Sequence, residues 1–358
     1  MLSIISFQRT AAMNQPPLRF MGAPGSPYTR KMLAYLRYRR VPYEFLMSDQ
    51  AEREGLPRPK VALLPTFYLP GADGALEAAV DSTPLIRRFE GEFEGRAAVP
   101  PNPAVAFLND LVEDYADEWL TKAMFHYRWY YEADIDQAGT VLPLWRGIQA
   151  DRETLGKLKG AVAQRQIDRL YVVGSNDVTA PVIEASYERI LTILDTLIEE
   201  QKFMFGGRPA SADFALYAQL TQLVRFDPTP AALCLEKTPR VFAWTDLVDD
   251  LSGHPARDDG WATIEALQQT LRPLLEEIGR TYAPALLANS AALESGASEM
   301  ETTIDGQRWV QPPFPYQGRC LRALQQGYEA LDGQNQSQVA ALLKGTGCDT
   351  LFAYELKK

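Results

Sequence analysis

The chain has 358 residues, room for about two domains, and its 46% hydrophobic and 23% charged residues are an ordinary composition for a protein with a sizeable core. A formal net charge of -10 with no concentrated basic stretch argues against nucleic acid, whose phosphates require clustered Lys and Arg. No apolar run approaches the roughly 20 residues of a membrane helix, and the three cysteines, Cys234, Cys320 and Cys348, form no CxxC pair. This argues against a disulfide framework or a Cys-based zinc site and points to a reducing, cytoplasmic setting.

Residues 1–17 carry one arginine and no acid. They read as a disordered leader, with a weak targeting segment or a start at Met13 as alternatives. Leu18 to Met21 is a strand candidate running into the loop Gly22-Ala23-Pro24-Gly25. Ser26-Pro27 then supplies a favoured N-cap and a favoured first helical residue. Met32, Leu33 and Leu36 share one face of the helix that follows, up to about Arg40. Tyr43 to Met47 is a second strand, and a third starts after Pro65. Pro70 to Gly74 is a turn, Ala75 to Val80 a fourth strand, and Asp81-Ser82-Thr83-Pro84 opens another helix, with Ser82 as its expected cap. The order is β-α-β-(α)-β-β-α.

After Pro100-Pro101-Asn102-Pro103 the periodicity changes. Val105, Leu108, Val112, Tyr115 and Trp119 recur at helical spacing, as do Ile183 to Leu197 and Ile264 to Leu274. No convincing strand is read beyond this proline cluster. The expected organisation is a leader over 1–17, an α/β domain over 18–97, an all-helical domain over 98–285, and a linker with a short helical extension over 286–358. The Ala-, Ser- and Glu-rich stretch 283–304 reads as the linker. Trp309 to Tyr316 is a rigid aromatic-proline run, followed by short helices near 317–331 and 337–344.

Three places carry potential chemistry. Ser26 stands at a helix N-terminus, where free N–H groups and the dipole favour an anion such as a thiolate. Taken alone it is equally an ordinary cap, with Tyr28 the runner-up hydroxyl. Leu64-Pro65 precedes a strand, and a cis peptide there would turn the Leu64 backbone outward to pair with an extended peptide. The trans form is the commoner case. Asp81-Ser82 suits the amino-acid end of a ligand, carboxylate to the helix start and ammonium to Asp81. Phe125 to Tyr131 adds aromatic and cationic groups. Within it His126, Tyr127, Trp129 and Tyr130 are candidates to line a pocket, or alternatively to fill the core. No metal-ligand motif is present, and the two histidines, His126 and His254, lie far apart.

Jointly, Ser26-Pro27, Leu64-Pro65 and Asp81-Ser82 resemble the N-terminal domain of cytosolic glutathione transferases, of the bacterial type with Ser at the first helix. The stretch Gly206 to Tyr217 resembles that family's buried helix start, except that Ala210 stands where its Ser or Thr cap is usual. The resemblance spans about residues 18 to 282. It implies a thioredoxin-like domain followed by an all-α domain, glutathione as co-substrate, no metal, and a homodimer. It also implies roles: Ser26 for the sulfur, Leu64 and Pro65 for the cysteinyl backbone, Asp81 and Ser82 for the γ-glutamyl end. The implied activity is conjugation of glutathione to a small electrophile. The alternatives are a non-catalytic glutathione- or protein-binding module and a glutathione-dependent isomerase or dehalogenase. With no cysteine before Cys234, thiol-disulfide exchange is not expected.

Overall fold

The computed structural model describes residues 16–47 and 49–355; apart from Pro16 and Pro17, the expected leader lies outside them. The first layer is a four-stranded sheet of β1 (Leu18–Met21), β2 (Tyr43–Leu46), β3 (Thr66–Pro70) and β4 (Leu76–Ala79), in the order β2-β1-β3-β4. β1 runs parallel to β2 and antiparallel to β3, and β3 is antiparallel to β4. The parallel pair requires a crossover, supplied by α1 (Pro27–Arg39). Ser26 caps α1 by accepting the Thr29 N–H at 3.3 Å. The helix ends where Arg40 turns left-handed at φ 56°, with Arg37 and Arg39 favourably placed in its last turn. The short α2 (Gln50–Arg53) and α3 (Ser82–Glu92) complete a thioredoxin-like domain.

The helical domain contains α4 (Pro103–Glu118), α5 (Leu120–Tyr130), α6 (Glu132–Arg146), α7 (Arg152–Ile167), α8 (Ala180–Glu200), α9 (Ser211–Leu223), α10 (Pro228–Lys237), α11 (Pro239–Val248), α12 (Ile264–Thr270) and α13 (Arg272–Ser295). Every residue of α9 is buried, and the helix packs on both α1 and α4. Ala210 is its N-cap and offers no side-chain acceptor, so half of the usual capping box is missing. The Asp213 carboxylate supplies the other half, accepting the N–H groups of Ala210 and Met204, each at 2.8 Å. Burial pushes that carboxyl up to about 7. Ser211, one position late for the cap, turns its hydroxyl to Glu113 at 2.6 Å.

The C-terminal region differs from the sequence expectation in two respects. Residues 283–295 are no linker but the second half of α13, a stretch of strong helix formers that runs through Pro284. Strands are also present beyond the proline cluster. β5 (Met300–Ile304) and β6 (Gln307–Gln311) form an antiparallel hairpin whose turn residues Asp305 and Gly306 both have positive φ, 50° and 73°. Trp309 packs from this hairpin on Trp119, ring centroids 5.3 Å apart. The periodic run from Ile264 likewise divides in two, breaking between Thr270 and Arg272 just ahead of Pro273. The extension closes with α14 (Pro315–Glu329), α15 (Gly333–Leu343) and α16 (Thr350–Ala353). It folds back on α4, where Phe107, Tyr328 and Phe352 form an aromatic cluster.

Candidate active site

The sheet register decides which loops meet. Met21 faces Thr66, and Phe67 faces Ala79. The ends of β1 and β4 and the start of β3 therefore lie at one end of the sheet, bringing residues 22–26, Leu64-Pro65 and Asp81-Ser82 to the same edge.

At that edge the Leu64-Pro65 peptide is cis. Ser26 is half-buried, and its hydroxyl donates to the Leu64 carbonyl at 3.2 Å while accepting from Thr29. Asp81, not Ser82, is the N-cap of α3. It holds φ 80°, ψ 112°, a backbone conformation that side chains disfavour, so Ser82 becomes the first helical residue and is buried. The Asp81 carboxylate does not cap the helix. Its Oδ2 accepts the Tyr316 phenol at 2.6 Å, a contact from the start of α14.

The loop ahead of Ser26 is fixed from the helical domain. Arg128 donates to the Gly25 carbonyl at 3.1 Å, and Gln222 to the Pro24 carbonyl at 3.2 Å. The Arg128 guanidinium is itself held by buried Asp227 at 2.9 Å. Above Gly25 lie Leu142 and Trp145 of α6. A Cβ on Gly25 would come within 2.4 Å of Leu142 and 2.8 Å of Trp145, so a larger residue would push these side chains back. Trp145 packs tilted against Phe226, ring centroids 5.0 Å apart, giving an apolar wall one residue from Ser26.

Beneath the site, charges tie the two domains together. Lys31 of α1, fully buried, meets Glu113 at 2.7 Å and Asp117 at 2.6 Å, both on α4. Thr83 and Arg87 of α3 join the same carboxylates. Against a burial penalty that raises it, Arg87 and Lys31 hold Glu113 below the usual carboxylate range. Burial and the charges of Asp114 and Asp117 push neighbouring Glu118 up to about 8, and burial takes Asp114 to about 7.

The other sequence candidates stand elsewhere. The Tyr28 hydroxyl points inward, donating to the Asp117 carbonyl at 2.8 Å and pairing with Thr121 at 3.0 Å. Burial, with Glu118 and Asp117 nearby, raises this phenol well above its ordinary range, the opposite of what thiol activation needs. His126, Tyr127 and Trp129 are core residues, and Tyr130 is half-buried and bonded to Asp177. His126 joins Ser175 at 2.7 Å and Glu184 at 3.1 Å, against α8 rather than toward Ser26. His126 and Ser175 are buried, and the chain ends on the half-exposed Glu184 carboxylate. Of the two readings given for this stretch, His126, Tyr127 and Trp129 follow the core-filling one. From this stretch, Arg128 is the side chain that reaches the loop. Helical phase separates it from the 126/130 and 127/131 rows, a signal present in the sequence. Trp145 and Tyr316 had no local signal.

Among the described residues, no group of three or more His, Cys, Asp or Glu is arranged to hold a metal, and no helix is long and apolar enough to cross a membrane.

Residues 20–97 match the family model of the glutathione S-transferase N-terminal domain. No curated protein matches the chain. Among solved structures it is similar to a glutathione transferase family member from Pseudomonas fluorescens with two glutathione bound, at 14% identity and TM-score 0.42, covering 67% of this chain and 89% of that one. It is also similar to a maleylacetoacetate isomerase from Anaeromyxobacter dehalogenans with bound glutathione, at 18% identity and TM-score 0.37, covering 68% and 95%. A Tau class glutathione S-transferase from mango is similar at 17% identity and TM-score 0.38, covering 70% and 95%. Residues 20–97 of the chain thus form a domain of the glutathione S-transferase N-terminal type.

Proposed function

We propose that the edge formed by Ser26, Leu64-Pro65 and Asp81-Ser82 binds glutathione and activates its thiol for attack on a small electrophile. The observation that carries this reading is the Ser26 hydroxyl, at the N-terminus of α1 and 3.2 Å from the Leu64 carbonyl. The cysteinyl N–H of an extended peptide would take that carbonyl as an added strand. Shared with the ligand N–H, that carbonyl holds Ser26 less firmly, and the Ser26 proton turns to the ligand sulfur. The helix dipole adds to the stabilisation of the thiolate. At the other end, Asp81 receives the α-ammonium, and the start of α3 receives the α-carboxylate. In the reaction the sulfur forms a bond to an electrophilic carbon and the leaving group departs with its electron pair. The thiol proton has already passed to solvent. Leu142, Trp145 and Phe226 form the wall against which the electrophile is held. A cytoplasmic homodimer without metal goes with this reading, as the family resemblance implies.

A second reading, a binding module without catalysis, is favoured by one observation: Tyr316 already occupies the Asp81 carboxylate. A generic aryl halide separates the two. The protein is first tested for retention on glutathione resin and for thermal stabilisation by millimolar glutathione. Conjugation is then expected to fall roughly 10–100-fold in Ser26→Ala, the worth of a hydrogen bond to a charged group, with glutathione still bound. Retention without conjugation in the wild-type protein would favour the binding module. Equal rates in Ser26→Ala would remove the role given to Ser26.

A further inference from the structure

The C-terminal extension reaches the site through a polar contact of Tyr316. The segment Pro312-Pro313-Phe314-Pro315-Tyr316 leads from β6 into α14, and its three prolines leave the backbone little freedom. It is also clamped. The buried Asn289 side chain of α13 donates to the Phe314 carbonyl at 3.1 Å and accepts the Phe314 N–H at 2.7 Å. Beyond it, Gly318 lets α14 lie close on Leu293 of α13, and Gln317 donates to Glu118 at 3.4 Å. The strap thus delivers Tyr316 to a fixed place, where its phenol donates to Asp81 at 2.6 Å.

We propose that Tyr316 is an internal competitor at the glutathione site, its phenolic O–H standing where the α-ammonium of a γ-glutamyl peptide would pair with Asp81. The proposal rests on the reading of Asp81-Ser82 as the γ-glutamyl subsite. The chemistry is that of one donor replacing another on the same carboxylate. The phenol is neutral and brings one proton. The ammonium brings a full charge and three donors. Asp117 and Glu118 of α4 also lie near this point, but Asp117 is paired with Lys31 and burial pushes the Glu118 carboxyl up, so the gain rests on Asp81 itself. Displacement needs only a turn of the Tyr316 side chain, since Asn289 and the prolines hold the backbone. A ligand bearing the ammonium therefore enters at the cost of one existing hydrogen bond. A ligand lacking it leaves Tyr316 in place. The extension in this way sets the affinity of the site while touching neither the sulfur nor the electrophile.

The test is calorimetric titration of the full chain with two peptides, glutathione and glutaryl-cysteinylglycine, which is the same peptide without its α-amino group. Tyr316→Phe keeps the ring and removes the donor. The dissociation constant for glutathione is expected to fall about tenfold, the lower end of what a hydrogen bond to a charged acceptor is worth, and that for the glutaryl peptide to stay the same. Asn289→Ala, which frees the strap, should move glutathione in the same direction by less. Thermal unfolding of each variant checks that it is folded. Unchanged or weaker glutathione binding in Tyr316→Phe overturns the proposal, as does equal tightening of both peptides. Failure of the wild-type protein and of both variants to bind glutathione overturns the glutathione reading itself, and the proposal with it.

Discussion

Ser26 has one proton, and it goes to the Leu64 carbonyl. In the proposed reading, backbone pairing at Leu64 and the turn of the Ser26 proton to the sulfur go together. The neighbouring hydroxyl is a useful contrast. Tyr28 is only two positions away, yet the first turn of α1 directs its phenol into the junction of α4 and α5. Tyr28→Phe is accordingly expected to lower stability by about 1–2 kcal/mol, the cost of an unmatched buried partner, and to leave conjugation unchanged. Urea unfolding and an aryl halide assay check this. A rate loss as large as that of Ser26→Ala would show that the phenol reaches the sulfur. Sequence alone ranks the two residues by position. Their separation depends on which face of the helix meets the second domain.

Most elements that build the site were legible locally. Ser26-Pro27 announced α1, and the strand candidates fall on the strands observed, because capping and apolar alternation act within a few residues. The helix start at the third place was read one residue late. Asp81 rather than Ser82 takes the N-cap position of α3, without a side-chain cap, since the turn out of β4 puts Asp81 at positive φ. The missed hairpin had its own signal, Asp305-Gly306 between two polar-apolar strands, hidden by a composition that resembled a linker. The aromatic run in α5 was legible in kind but not in direction. Burial of His126, Tyr127 and Trp129 follows from α8 packing across α5, a contact no local pattern encodes. Tyr316 is the extreme case, since its partner Asp81 lies 235 residues earlier.

For the whole molecule, the extension and the two domains share one contiguous core, joined beneath the site by the Lys31, Arg87, Glu113 and Asp117 network. Buried carboxyls make this fold sensitive to pH. Burial raises Asp114 to about 7, Glu118 to about 8 and Asp213 to about 7, all above unfolded values near 4. The folded state therefore keeps protons that the unfolded chain releases. This contribution to stability is fully present below about pH 4 and is lost as pH rises through 7 to 8. Lys122, lowered by burial to about 8, acts in the opposite sense only from there upward. Glu113, held low, loses its contribution only in acid. The melting temperature is thus expected to be about 5 °C higher at pH 6 than at pH 8, the effect of roughly 2 kcal/mol in a chain of this size. Scanning calorimetry at the two values would contradict this if the order were reversed.

The central claim, that Ser26 and the start of α1 stabilise a glutathione thiolate, is tested most directly by titrating the bound thiol. Thiolate absorbance is followed against pH with glutathione saturating the wild-type protein and Ser26→Ala. The bound thiol should ionise about one unit or more below the roughly 8.5 of a free cysteine, and most of that shift should vanish in Ser26→Ala. A bound thiol that titrates as it does in water, or a shift that survives the substitution intact, would contradict the account.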